Sequence, residues 1–238
     1  MQISKSKKIG FVLAVAVMLV SFIFIATACG GSKTESVSTY EELVEALAGE
    51  SEIVRLEDDV VVDEALIISR EVVLDLNGKT LSNETDLWDE TEGVWSIISV
   101  RDGGDLTVRG NGSIIAKEND CYTFDVIEGG HLIIEDGTYV SNISAVYVTE
   151  GSAEIKGGRF SIQQLATAKD YQFTLNLLDS AREEGIASIV VSGGIFENFD
   201  PAANAAESSD MSTNFVAEGY VSTLVEEDDV STYVVTKA

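Results

Sequence analysis

A short phrase repeats through the middle of this chain, and it limits the folds available more than any other feature. Gly103-Gly104-Asp105-Leu106-Thr107-Val108 precedes Gly112-Ser113-Ile114. Gly129-Gly130-His131-Leu132-Ile133-Ile134 precedes Gly137-Thr138-Tyr139. Gly151-Ser152-Ala153-Glu154-Ile155 precedes Gly158-Arg159-Phe160, and Ser188-Ile189-Val190-Val191 precedes Gly194-Ile195-Phe196. Val72 to Leu81 is an earlier, looser copy. Each unit is an alternating strand, a glycine turn and a second short strand. Alternation of period two puts one set of side chains inward and the other outward. Leu56 to Leu76 is 20 residues, Ile134 to Ile155 is 21 and Val108 to Ile134 is 26. A short, irregular repeat of strands and turns predicts a β-solenoid. Leu106, Leu132, Ala153 and Ile189 would stack in one inward row, and Val108, Ile134, Ile155 and Val191 in the next.

These glycine-strand-glycine units, over residues 51–200, resemble the right-handed parallel β-helix of the pectin-lyase-like superfamily. The resemblance implies an all-β chain of single parallel strands per turn. Evenly spaced short strands also suit a β-sandwich, the alternative fold. Two insertions interrupt the repeat. Residues 83–93 are acidic and carry Trp88, with Trp95 just beyond. In residues 163–185, Tyr171 to Asp179 alternates like a strand and predicts an outer hairpin.

Open solenoid ends need covers. Residues 38–50 predict a capping helix. Ser38-Thr39-Tyr40-Glu41 has capping-box form, Tyr40, Leu43, Val44 and Leu47 share one helical face, and Gly49 ends it. Residues 201–238 predict a loop and a closing hairpin, with Tyr220–Val225 and Ser231–Val235 as its strands. Phe196, Phe199, Phe215, Tyr220 and Tyr233 read as core. With Val191 to Pro201 and Asn214 to Tyr220, this tail resembles the last turns of β-helical surface and phage appendage proteins.

The first 28 residues are a different kind of sequence. Lys5, Lys7 and Lys8 precede the apolar run Ile9 to Ile25, and small residues follow at Ala26, Thr27 and Ala28. This is the order of a secretory signal. Ile25-Ala26-Thr27-Ala28-Cys29-Gly30 resembles the lipobox of bacterial lipoprotein precursors. That resemblance implies a mature chain starting at Cys29, lipidated there, and held on the outer side of a cytoplasmic membrane. Two or more acyl chains hold firmly where one does so only marginally. Residues 29–37 would then be a lipidated tether.

Charge narrows the partners. The formal net charge is −26, and losing the leader's lysines makes the remainder more acidic. Such a surface repels nucleic acid and other polyanions. A glycan, a surface protein or the membrane, through the lipid on Cys29, is the expected partner. Cys121, the other of two cysteines, reads as a buried small hydrophobe. The resemblance raises a polysaccharide lyase or glycoside hydrolase as an alternative function, and a structural part of a surface assembly as another. No Arg-x-Lys pattern accompanies the acids, and His131 points outward by alternation with Leu132, so no catalytic residue is assigned. Asp102, Glu128 and Glu150 each stand before a glycine that opens a repeat. Stacked about 4.8 Å apart, they would be candidate calcium ligands. Trp88 and Trp95, on or beside a loop, are candidate ligand-binding residues. The function expected is a non-catalytic binding or adhesion module.

Overall fold

In the computed structural model, the strands from Ile53–Leu56 through Gly194–Glu197 visit three sheets in strict rotation. The structure describes residues 32–164, 173–203, 213–227 and 230–238; the leader and Cys29 lie outside the described residues. The first sheet runs, in hydrogen-bonded order, Thr34–Val37, Ile53–Leu56, Glu71–Asp75, Asp105–Arg109, Gly130–Ile134, Gly151–Ile155 and Ala187–Val191. The second runs Val60–Val61, Thr80–Ser82, Ser113–Ile115, Thr138–Ser141, Arg159–Ile162, Gly194–Glu197, Val230–Lys237 and Tyr220–Glu227. The third runs Leu66–Ile68, Ser96–Val100, Tyr122–Val126, Val146–Val148 and Leu175–Leu177. Pairing among these strands is parallel until Val230–Lys237, which pairs antiparallel with Gly194–Glu197 and with Tyr220–Glu227. Neighbours in a β-sandwich would pair antiparallel instead.

Register puts like side chains in rows. Leu132 pairs with Leu106 and Ala153, and Ala153 with Ile189. Ile134 pairs with Val108 and Ile155, and Ile155 with Val191. Both rows are buried, as the alternation predicts. A third row is aromatic: Tyr139 stacks on Phe160 at 5.0 Å, and Phe160 on Phe196 at 5.0 Å with planes 7° apart. Phe124 and Phe199 close its ends. Phe215 is also buried, while Tyr220 and Tyr233 are partly so.

Three turns share one geometry. Asn77-Gly78, Asp102-Gly103 and Glu128-Gly129 all have both residues at positive φ. Each is closed by a bond from the next N–H to the carbonyl three residues back: Lys79 to Leu76, Gly104 to Arg101 and Gly130 to Ile127. Positive φ at two successive residues favours Asn or Asp followed by Gly, which two of the three turns obey. Glu128 does not, and sits where a β-carbon is crowded.

The ends depart from expectation in detail. Thr34–Val37, expected as tether, pairs with Ile53–Leu56 as the first strand. The helix α1 spans Tyr40–Ala48, and its cap is Thr39, one residue later than expected. Thr39 Oγ1 accepts from Glu42 N–H, while the Glu42 carboxylate accepts from Ser38 N–H. Its buried face is Leu43, Ala46 and Leu47, and Val44 is exposed. Among its described residues, the second insertion forms no outer hairpin. Leu175–Leu177 joins the third sheet because Leu175 and Leu177 face the core, and a short helix, α2, follows at Asp179–Glu184. Residues 165–172, which include Tyr171 and Gln172 at the start of the strand expected there, lie outside the described residues.

Candidate functional site

The third sheet carries chemistry on the face turned from the core. Ser99, Asp125, Tyr147 and Asn176 stand in one row by register. Their strand neighbours on either side are core apolar residues: Ile98 and Val100, Phe124 and Val126, Val146 and Val148, Leu175 and Leu177. One end of the row is sealed, since Ser99 is 1% and Asp125 0% exposed. The other end, at Tyr147 and Asn176, is half-buried and opens into a cleft.

Residues 83–95 cover the sealed end. Asp120, itself nearly buried, holds this segment. Its carboxylate accepts from Asn83 Nδ2 at 2.6 Å, from Leu87 N–H at 3.0 Å and from Trp88 N–H at 3.0 Å. Lys117 adds an ion pair to Asp86 at 2.6 Å. A carboxylate taking backbone N–H groups is a strong, directional clamp. It fixes Trp88 so that its ring meets Trp95 at 4.8 Å and Tyr122 at 5.2 Å, each edge to face. Tyr122 in turn meets Tyr147 at 5.6 Å. The four rings form a continuous, half-buried row.

Under this cover, Ser96 and Ser99 both hydrogen-bond the Asp125 carboxyl. Arg101 Nε donates to Ser99 Oγ at 2.8 Å, and its Nη2 reaches Gly93 O. Burial pushes the Asp125 pKa up; the two serines and Arg101 offset part of the rise. The Ser96 hydroxyl lies 2.8 Å from Ile98 O and 3.0 Å from Asp125.

The cleft, of about 220 Å³, is lined by Tyr122, Tyr147, Phe173, Asn176, Leu178 and Asp179, among others. Asn176 Nδ2 reaches Ser144 Oγ at 3.4 Å. Asp179 pairs with Arg182 at 2.8 Å. Burial, then the neighbouring Tyr147 and Asp125, push the Tyr122 pKa up to about 12, so its phenol stays neutral. Aromatic faces with a few polar groups are the usual furniture of a small-ligand site.

The residues singled out from sequence fall as follows. Trp88 and Trp95 belong to the aromatic row but back the cleft rather than line it. Asp102, Glu128 and Glu150 gather at one corner through backbone bonds: Gly103 N–H donates to Glu128 O and Gly129 N–H to Glu150 O. All three side chains are exposed. Gly130 pairs with Gly151, which sets Glu150 one residue out of step with Glu128. Among the described residues, no three His, Cys, Asp or Glu side chains are grouped to hold a metal ion. His131 is half-buried, with Nδ1 2.7 Å from Ser152 Oγ. Cys121 is a free, buried thiol whose pKa burial pushes well up. Sequence reasoning missed Tyr147 and Asn176, which meet only through strand register, and Phe173 and Asp179, which flank the strand Leu175–Leu177. Comparison with known proteins finds no family model, no curated protein and no solved structure that matches this chain.

Proposed function

We propose that this chain is a lipid-anchored protein of the bacterial cell envelope. Its mature part begins at Cys29 and displays a right-handed parallel β-helix that binds a glycan without cleaving it. The lysines, apolar run and small residues before Cys29 support the address. The rotation of parallel strands through three sheets, with side chains in vertical rows, supports the helix.

The observation that carries the binding function is the cleft between Tyr122, Tyr147 and Phe173, with Asn176 and Asp179 at its edge. Sugar rings offer C–H faces to aromatic rings and hydroxyls to amides and carboxylates. The carboxyl groups nearby are already engaged: Asp125 is sealed under its cover and Asp179 is ion-paired. That favours holding a glycan over acid–base work on it. A glycan array probed with the full chain and with Tyr147→Ala tests this. Binding that Tyr147→Ala abolishes, with bound oligosaccharides recovered at unchanged length, is the expected result. Signal independent of Tyr147 or shortened oligosaccharides would refute it. Calcium is expected to leave binding unchanged, because Asp102, Glu128 and Glu150 point to solvent. The anchor is tested separately. Cys29→Ser should move the chain out of the membrane fraction, and retention there would refute lipidation.

A further inference from the structure

We infer that the cleft takes uncharged sugar rings and rejects uronates, sulfated sugars and other anionic glycans, an inference that rests on the glycan reading above. The charge of the lining decides it. Among the described lining residues Asp179 is the ionised side chain, and Arg182 pairs with it at 2.8 Å. The other described lining residues are aromatic, aliphatic or amide. Tyr122 keeps its phenolic proton, so it adds a hydrogen-bonding group without charge.

An anionic sugar needs a cation, and among the described residues those beside the row are committed. Arg101 is bound to Ser99 and Gly93, Lys117 to Asp86 and Arg182 to Asp179. Pulling one away would break a bond within the cover or at the cleft edge. The whole chain, at −26, also repels a polyanion before contact. A cationic sugar gains from that field, but within the cleft it meets a carboxylate already paired. An uncharged ring loses nothing on either count. Its binding should therefore be nearly indifferent to salt, unlike binding carried by ion pairs.

Calorimetry on the full chain in detergent tests this with three kinds of probe. They are a panel of neutral hexasaccharides that includes N-acetylglucosamine hexamer, the same hexamer deacetylated, and hexagalacturonate, each at ~50 and ~500 mM salt. The expected result is binding of at least one neutral hexamer, with Kd moving less than about twofold with salt and hexagalacturonate at least about tenfold weaker. Tyr147→Ala and Asn176→Ala should each weaken the neutral hexamer while leaving the far-UV spectrum unchanged. Hexagalacturonate binding as well as the neutral hexamer, or the deacetylated hexamer binding tighter with steep salt dependence, would overturn the charge class and leave the glycan reading standing. No heat from any probe would overturn the glycan reading itself, and this inference with it.

Discussion

Gly103 and Gly104 are adjacent, yet the structure requires glycine at each for a different reason. Gly103 has φ +72 and open space where a β-carbon would go. An alanine there meets only the left-handed backbone penalty, about 1–2 kcal/mol, and asparagine, which tolerates that conformation, should recover most of it. Gly104 is not at positive φ, but a β-carbon on it would lie 2.3 Å from Ile68 O and 2.8 Å from Ile68 C. Those atoms are backbone of the strand beside it and cannot swing away. Ile68 O also accepts the Arg101 N–H at 2.9 Å. Gly104→Ala should therefore cost overpacking of about 1–3 kcal/mol plus part of a hydrogen bond, about 0.5–1.5 kcal/mol. Gly104→Asn should be worse than Gly104→Ala, the reverse of the order at Gly103. Urea unfolding followed by far-UV circular dichroism reads all four variants. The reasoning fails if asparagine rescues Gly104, or if Gly104→Ala costs no more than Gly103→Asn.

Other perturbations probe separate parts of the account. Phe160 is fully buried between Tyr139 and Phe196; Phe160→Ala should cost about 3–5 kcal/mol, and Phe160→Leu clearly less, in the same unfolding assay. Glu128→Asn should stabilise the chain by about 0.5–1 kcal/mol, because asparagine suits its positive φ of 50°. Asp125 has a folded pKa raised by burial, so the folded state holds the proton more tightly than the unfolded state does. Stability contributed by that proton is full at low pH and is lost as pH rises from the ordinary aspartate range through the folded value. The stability of Asp125→Asn relative to the parent should therefore grow with pH across that window; a difference that stays flat or shrinks in urea melts at stepped pH would contradict the upward shift. Asp120→Ala removes the acceptor for Asn83, Leu87 and Trp88, and should red-shift tryptophan emission as the cover over Asp125 loosens.

The rows of the core were legible because they depend on period-two alternation alone. Leu106, Leu132, Ala153 and Ile189 needed no knowledge of the turns between them. What failed were positions whose place depends on a single residue at a corner. Glu150 looks equivalent to Glu128, but the Gly129-Gly130 pair has only Gly151 as its counterpart, and the register slips by one. At α1, Ser38 and Thr39 compete for the cap, and sequence alone does not rank two neighbouring hydroxyl residues. Thr34–Val37 looked like linker because Thr-Glu-Ser hides its one buried side chain, Val37. The cleft was the least legible part. Trp88 and Trp95 drew attention by type, but Tyr147 and Asn176 matter only because they share a row with Asp125. That row crosses intervals of unequal length, so no fixed period marks it.

Trp88 and Trp95 are the two tryptophans of the chain, and Trp88 packs against Tyr122 at the cleft. Their emission therefore reports directly on whether a sugar enters there. Titration of the full chain with a neutral oligosaccharide drawn from the array should shift or quench that emission saturably, and Tyr147→Ala, folded by circular dichroism, should show no change. Emission that stays constant while the oligosaccharide binds would place the ligand elsewhere on the surface and contradict the account.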